Sequence, residues 1–201
     1  MSPEEEQWLL SHCGPQLQPL VIAALHTWFR ASELLSLTWE DVDCKCRVIT
    51  VRAAYAKNGE SHSVPMNAVL TETLRMVRMN ASAVTGSMFC SRNGTPYRSF
   101  RTAFERAIRQ AGIEGLVFHD LRHSFASRLV MSSVDLLTVQ VLMGHKEISM
   151  TLRYTHLTTD HKQQAVRALE TFGEKSQQFS QHRGWEGAQG SRNALKIHAL
   201  S

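Results

Sequence analysis

The chain has 201 residues, 43% of them hydrophobic, which is enough for one substantial core or for a compact domain with a tail, and which excludes disorder throughout. A formal net charge of +4 favours an anionic partner without saying which anion. The four cysteines form no CxxC pair, and neither a signal peptide nor an apolar run of about 18 residues is visible, so the sequence predicts a soluble, reduced, cytoplasmic protein.

The first part of the chain predicts three helices. Ser2, Pro3 and Glu5 match an N-cap, a first-turn proline and a capping-box acid, so a first helix should end at about Ser11. The apolar segment LQPLVIAALHTWF predicts a buried helix that ends near Arg30. SELLSLTWEDVD predicts another short helix directly after it.

The pattern then changes from helical to alternating. CRVITVRAAYAK and ESHSVPM are rich in strand-forming residues, and the Asn58-Gly59 pair between them is typical of a type I′ turn. The two segments therefore predict a β-hairpin with Lys57 at its tip.

The rest of the chain predicts mostly helices. One is capped by Asn67 and runs to Met79, a short strand SMFC follows, and the next helix ends at Gly112. A helix then opens with HDLRH, another stops near Gly144, and ISMTLRYTHL and DHKQQAVRALETF predict the last two. Residues 173–201 are rich in Gly, Ser and Gln, which predicts a mobile C-terminal tail.

The segment HDLRHSFASRLV, residues 119–130, combines an apolar helical face with a cluster of polar groups. His119 and Arg122 stand three positions apart, so both project from one face of the helix and can contact the same group. An imidazole beside a guanidinium suits an anion such as phosphate. Judged from this pair alone, polar residues that simply face solvent on an amphipathic helix are the more common explanation. The rest of the chain decides between this explanation and an anion-binding site.

Five separated motifs resolve that choice through a resemblance: TWFRASELLSLTWEDVD with Arg30, Lys57 before NGESHSVPM, and then HDLRH, LMGH and TLRYTHL. Together and in this order they resemble the catalytic domain of the tyrosine recombinases, the phage integrase and Xer-like family, over about residues 4–170. The resemblance implies an α+β, mainly helical fold with a small antiparallel β-sheet, the DNA breaking-rejoining enzyme type, over residues 1–172.

The resemblance implies that Arg30 and Arg122 are the two catalytic arginines and that Glu33 supports the first of them. The chemistry is consistent with this assignment. A phosphodiester carries a negative charge that grows in the pentacovalent transition state, and two forked guanidiniums stabilise it better than point charges do.

The other implied residues move protons or attack phosphorus. Tyr154 is implied to be the nucleophile, and since a phenol has an ordinary pKa of about 10 it needs a base, for which His119 is implied. Lys57 is implied to protonate the departing 5′ oxygen, and His145 to donate a hydrogen bond to a nonbridging oxygen. The resulting phosphotyrosine keeps the bond energy for religation, so the reaction requires neither a metal nor another cofactor.

Each of these residues also has an ordinary structural explanation. Arg30 is also explained as a cation at a helix C-terminus, Lys57 as a solvated residue beside a turn, and His145 as a helix cap. Tyr154 is also explained as a half-buried aromatic with a satisfied hydroxyl. If these explanations held, residues with four unrelated structural roles would still have to follow one another in the family's order. The joint pattern therefore favours the catalytic set. His123 falls outside that set and is predicted to be helix surface or structural packing.

The sequence departs from the family's usual pattern at three places. Trp28 stands at the glycine of the usual Thr-Gly-x-Arg motif, which predicts an altered turn before Arg30. Ser133 stands where a helix-ending glycine is common. Glu60 and His62 replace basic residues after the hairpin turn, which predicts weaker contact with the DNA backbone.

The resemblance implies a site-specific recombinase or integrase that acts on double-stranded DNA, as a tetramer on two paired sites and as a monomer without DNA. It implies action at the bacterial or phage-associated nucleoid and no membrane. The helical core-binding domain that usually precedes the catalytic domain is expected to be absent. A second hypothesis is therefore a truncated remnant that binds DNA or modulates a partner without completing recombination. A type IB topoisomerase shares the arginine, lysine and tyrosine chemistry, but the spacing of LMGH and TLRYTHL favours a recombinase.

Overall fold

The computed structural model describes residues 1–57, 59–81, 86–91 and 93–155. In chain order, the elements in these ranges are α1 (Pro3–His12), α2 (Gln18–Thr27), α3 (Ala31–Ser36), a 3-10 helix (Trp39–Asp41), β1 (Val42–Asp43), β2 (Val48–Val51), β3 (His62–Pro65), α4 (Ala68–Met79), α5 (Arg101–Ala111), α6 (Phe118–Met131), α7 (Leu136–Met143) and α8 (Ser149–Leu152). The predicted α+β, mainly helical class is confirmed. No helix in the described ranges is both long enough and apolar enough to cross a membrane.

The helix ends follow the caps that the sequence contains. The Ser2 hydroxyl accepts a hydrogen bond from the Glu5 amide while the Glu5 carboxylate accepts one from the Ser2 amide, a complete capping box. Asn67 caps α4 through the amide of Leu70, as predicted. Gly112 is the C-cap of α5 and Gly144 is the C-cap of α7. Both adopt the left-handed backbone conformation that glycine tolerates without strain.

The three strands form one antiparallel sheet in the order β1-β2-β3. The predicted hairpin is confirmed, but its two-residue turn is wrong, because pairing ends at Val51 opposite His62 and residues 52–61 form the connection. The strand stops there because the amide of Tyr55 donates back to the carbonyl of Arg52, which turns the chain out of the sheet. Lys57 consequently lies in a longer, exposed connection rather than on a tight turn.

Two other segments differ from their predictions. α2 ends at Thr27 rather than near Arg30, because Trp28 adopts a left-handed conformation with φ of 57°. The segment SELLSLTWEDVD forms α3, the 3-10 helix and β1 instead of one helix. The carbonyl of Leu37 accepts from the amide of Met88, so the chain there pairs with a neighbour rather than continuing the helix.

The C-terminal part of the prediction is only partly described. SMFC makes isolated bridges, Ser87 to Thr38 and Cys90 to Pro96, rather than a strand. ISMTLRYTHL forms the four-residue helix α8 within the described residues. The predicted helix DHKQQAVRALETF and the predicted tail over 173–201 lie outside them.

Two apolar clusters hold these elements together. The larger one contains buried residues from α1 to α6 and the sheet. The smaller one lies between α6 and α7 and consists of Trp28, Ala126, Val130, Val139, Met143 and Tyr154. Complete burial of one such side chain contributes about 1.5–3 kcal/mol to stability. Two residues singled out in the sequence, Trp28 and Tyr154, thus take their positions from the packing of α6 and α7.

Candidate active site

Arg30 and Glu33 form a local unit at the start of α3. Arg30 is the N-cap, and the Glu33 carboxylate accepts hydrogen bonds from its backbone amide at 2.7 Å and from its Nη1 at 2.8 Å. The Glu33 side chain is completely buried, whereas that of Arg30 is 35% exposed. Burial alone would raise the pKa of Glu33, but the hydrogen bonds and charge of Arg30, together with His62, lower it below its ordinary value. A fixed carboxylate therefore orients a guanidinium whose outer side faces solvent.

Arg122 approaches the same carboxylate from α6. Its Nη1 donates a 2.6 Å hydrogen bond to the carbonyl of Trp28 and lies 4.0 Å from Oε2 of Glu33. Burial and the nearby charge of Arg30 lower the pKa of Arg122 to about 9, so it stays charged at neutral pH. One buried carboxylate thus faces two guanidiniums, which leaves an excess of positive charge that an anion would offset.

Trp28 packs against this group of charges. The guanidinium carbon of Arg122 lies 3.8 Å from the centre of the indole ring, a cation–π contact. The ring also meets His145 edge-on at 5.3 Å between centroids. Trp28 is 4% exposed, and its Nε1 has no hydrogen-bond partner within the described part of the chain. Its positive φ is the conformation that glycine favours, so the turn that presents Arg30 has a glycine-like backbone with an indole attached.

Tyr154 is buried directly after α8. Only 5% of it is exposed, and its hydroxyl oxygen lies 2.7 Å from Nδ1 of His123. Burial raises the pKa of Tyr154, against the opposing charges of Arg153 and Arg122. The phenol is therefore protonated at neutral pH and in contact with a group that can accept its proton.

His145 follows the left-handed Gly144 that ends α7. Its Nδ1 lies 2.9 Å from the hydroxyl oxygen of Thr151, which orients the ring. Burial, then the charges of Arg122 and Arg153, lower the pKa of His145 to about 4, so the ring is neutral at neutral pH. A neutral imidazole with one nitrogen engaged keeps the other for a ligand.

His119 lies in the first turn of α6. Its ring meets the ring of His123 edge-on at 4.9 Å between centroids. Burial, then the charge of Arg122, lower the pKa of His119, and the charges of Arg30 and Lys57 act in the same direction. The connection that carries Lys57 therefore adds its charge to the same group of cations.

The contacts described above link most of the sequence-predicted residues into one cluster: Arg30, Glu33, His119, Arg122, His145 and Tyr154. Lys57 adds charge from an exposed position. The sequence reasoning missed His123, the residue that contacts the phenol, although its spacing of four from His119 places both on one helical face. It also missed His62, whose Nε2 lies 4.0 Å from Glu33. The approach of His62 to Glu33 depends on the strand register of the hairpin, and no local sequence pattern predicts that register.

Comparison with known proteins places this arrangement in a family context. Residues 1–161 match the model of the phage integrase family. The integrase of Salmonella phage P22 is 29% identical over 198 residues, which cover 93% of this chain and 51% of that protein. The tyrosine recombinase XerC of Azotobacter vinelandii is 36% identical over 139 residues, which cover 66% of this chain and 45% of that protein. This chain therefore spans about half the length of these relatives.

Solved structures show the same fold. The Tn1549 transposon integrase, in complex with transposon right end DNA, matches with a TM-score of 0.71 and 24% identity, over 85% of this chain and 65% of that one. The catalytic domain of bacteriophage HP1 integrase matches with a TM-score of 0.66 and 27% identity, over 83% of this chain and 92% of that one. The match to an isolated catalytic domain covers nearly all of that domain.

Proposed function

The chain belongs to the phage integrase family of tyrosine recombinases, and we propose that it cleaves and rejoins DNA strands at specific sites through a 3′-phosphotyrosyl intermediate. The observation that carries the proposal is the pair of guanidiniums, Arg30 and Arg122, on either side of the buried Glu33 carboxylate. Their excess charge lies beside a buried phenol that already has a hydrogen-bond partner.

In this proposal the two arginines bind the nonbridging oxygens of the scissile phosphate. The negative charge on these oxygens grows as phosphorus becomes pentacovalent, so forked donors held in advance lower the barrier. His145, neutral and oriented by Thr151, adds a hydrogen bond through its remaining nitrogen. The family resemblance implies His119, on the same helical face as Arg122, as the base that takes the proton of the attacking phenol.

Tyr154 is the proposed nucleophile. Its oxygen attacks phosphorus, a bond to the 3′ phosphate forms, and the bond to the 5′ oxygen breaks. Lys57, on the exposed connection between β2 and β3, supplies the proton that the departing 5′ oxygen needs. Because the phosphate stays bonded to the protein, a new 5′ hydroxyl can reverse the step and rejoin the strand.

The proposed partner is double-stranded DNA, bound by a tetramer on two paired sites and by a monomer otherwise, at the nucleoid of a bacterial cell. The complexes described for the Tn1549 integrase support DNA as the ligand. The likeness to part of an integrase and of a tyrosine recombinase supports strand cleavage and rejoining over the alternative of a remnant that only binds. Neither a metal nor another cofactor enters the proposed reaction.

The test is covalent trapping on DNA. The purified chain is mixed with a labelled pool of nicked duplexes of randomised sequence, in which the short strand released by cleavage diffuses away and prevents rejoining. We expect label that stays on the protein in SDS, and sequencing of the trapped strands then gives the preferred site. Label is expected to disappear in Tyr154→Phe.

Tyr55→Phe is the matched control, because Tyr55 is an exposed tyrosine on the hairpin connection. It should trap DNA as the wild type does. A folded wild-type protein that traps no strand from the pool overturns the proposal, as does a Tyr154→Phe variant that still traps DNA.

A further inference from the structure

We propose that His123 is the catalytic residue that takes the proton of Tyr154 when the tyrosine attacks phosphorus. The inference rests on the proposed function and adds a residue to it, since the family resemblance implies His119 for this role.

The geometry assigns the phenol to His123. The 2.7 Å separation between Nδ1 of His123 and the hydroxyl oxygen of Tyr154 is a short hydrogen bond across 31 residues of sequence. Because Tyr154 is 95% buried, solvent has little access to its proton and a side chain must accept it. His119 instead presents its ring to the ring of His123, at 4.9 Å between centroids.

The surroundings keep His123 able to accept a proton. The titratable groups that face it are His119, Asp120 and Arg122 from α6, His145 after α7, and Arg153 and Tyr154 after α8. Burial, then the electrostatic interactions with His119 and Arg153, lower the pKa of His123, with Asp120 opposing them. The imidazole is therefore neutral at neutral pH, and with its own proton on Nε2 it offers Nδ1 as an acceptor.

The proton and the bonds balance in this step. As the bond from the Tyr154 oxygen to phosphorus forms, the bond from phosphorus to the 5′ oxygen breaks, and the phenol proton passes to Nδ1 of His123. The 5′ oxygen receives a separate proton from Lys57. In rejoining, the 5′ hydroxyl attacks the phosphotyrosine and the imidazolium of His123 returns its proton to the tyrosine oxygen. No electrons are exchanged with a further reactant.

The assignment also gives His119 a separate task. Its ring meets the ring of His123 edge-on, and Arg122 lies three positions further along the same helical face. His119 therefore serves the phosphate, and the test below separates the two histidines by their effects on the pH dependence of cleavage.

The experiment compares His123→Ala and His119→Ala by single-turnover trapping of the duplex selected from the randomised pool, between acidic and alkaline pH. Wild-type cleavage should fall as the pH drops through the lowered pKa of His123, because a protonated imidazole cannot accept the phenol proton. His123→Ala should cleave about 10²–10⁴-fold more slowly and lose this acid limb. His119→Ala should keep the acid limb at a lower overall rate.

A second measurement needs no DNA. The ¹³Cζ resonance of Tyr154 in labelled protein reports the hydrogen bond of its hydroxyl, and it should shift in His123→Ala but not in His119→Ala. A wild-type protein that traps no DNA overturns the proposed function. A wild type that traps DNA, with an acid limb that persists in His123→Ala and vanishes in His119→Ala, overturns this inference alone. An unshifted Tyr154 resonance in His123→Ala also overturns it.

Discussion

Replacing Trp28 by glycine and by alanine separates the backbone at this position from its side chain. Both changes remove a buried indole, a loss of about 3–5 kcal/mol for large aromatic residues in a core. Both also remove the indole Nε1–H, which has no hydrogen-bond partner among the described residues and whose burial costs about 1–3 kcal/mol, so part of the loss is offset. The two variants differ in how well the new residue tolerates φ of 57° and in the conformational freedom of the unfolded chain.

That difference has a predictable sign. A left-handed backbone costs an L-residue about 1–2 kcal/mol and costs glycine nothing, while the larger freedom of glycine in the unfolded chain costs about 0.4–1 kcal/mol. Trp28→Gly should therefore be more stable than Trp28→Ala by about 0.8 kcal/mol, the middle of the range that these two costs allow. At an ordinary helical position the order reverses, and glycine is worse than alanine by about 0.5–1 kcal/mol.

Trp39 provides the matched control. It is also buried, at 6% exposed, and has a guanidinium over its ring, that of Arg78 at 5.6 Å, but it belongs to a 3-10 helix and has no positive φ. The free energies of unfolding of the four variants, from urea titrations with equal m-values, provide the comparison. If alanine matches or exceeds glycine in stability at position 28 while the expected order holds at position 39, the proposed role of the left-handed turn is refuted.

Two further changes test the charges of the site. Glu33→Gln leaves two guanidiniums without their carboxylate and should lower the free energy of unfolding by about 3 kcal/mol, the lower end for breaking a buried pair because Arg30 is 35% exposed. The folded-state pKa of Glu33 is lowered, so the stability lost in this variant should be greatest above pH 4.5, the ordinary pKa of a glutamate, and should shrink as the pH falls through the lowered pKa. The control is Glu72→Gln on the exposed face of α4, which should leave acid unfolding essentially unchanged. Lys57→Met should slow cleavage of ordinary DNA but not of DNA with a bridging 5′ sulfur, because a thiolate with a pKa of about 8.5 leaves without a proton. Equal slowing on both substrates would show that Lys57 is not the proton donor. The control is Lys45→Met, on the loop between β1 and β2, which should slow cleavage of neither substrate.

Local chemistry in the sequence accounts for what could be predicted. Ser2 and Asn67 can satisfy free amides at a helix start, and Gly112 ends a helix because it tolerates a left-handed backbone, so these boundaries follow from neighbouring residues. The cluster around HDLRH was predictable for a similar reason, since a helix fixes which residues share a face.

Features that depend on distant contacts were not predictable in this way. An Asn-Gly pair between β-rich segments favours a two-residue turn, but the chain leaves the sheet at Arg52 because of bonds formed in the folded connection. The end of α2 depends on Trp28, which is held in an unfavourable conformation by Arg122 from another helix. The contact between His123 and Tyr154 forms only when Tyr154 packs against α6.

The bond between Arg122 and the Trp28 carbonyl joins residues 94 positions apart, and a second link, from Arg128 to Glu6, spans 122. Contacts of such sequence separation form late in folding, because the entropy cost of closing a long loop must be met before the contact can stabilise the chain. On the ribosome, Arg30 emerges well before Tyr154, and the partial chain holds neither the paired guanidiniums nor the phenol. For a protein proposed to cut DNA through Tyr154, a nascent chain that stops short of this residue therefore lacks the nucleophile, even when Arg30 and Arg122 have already been made.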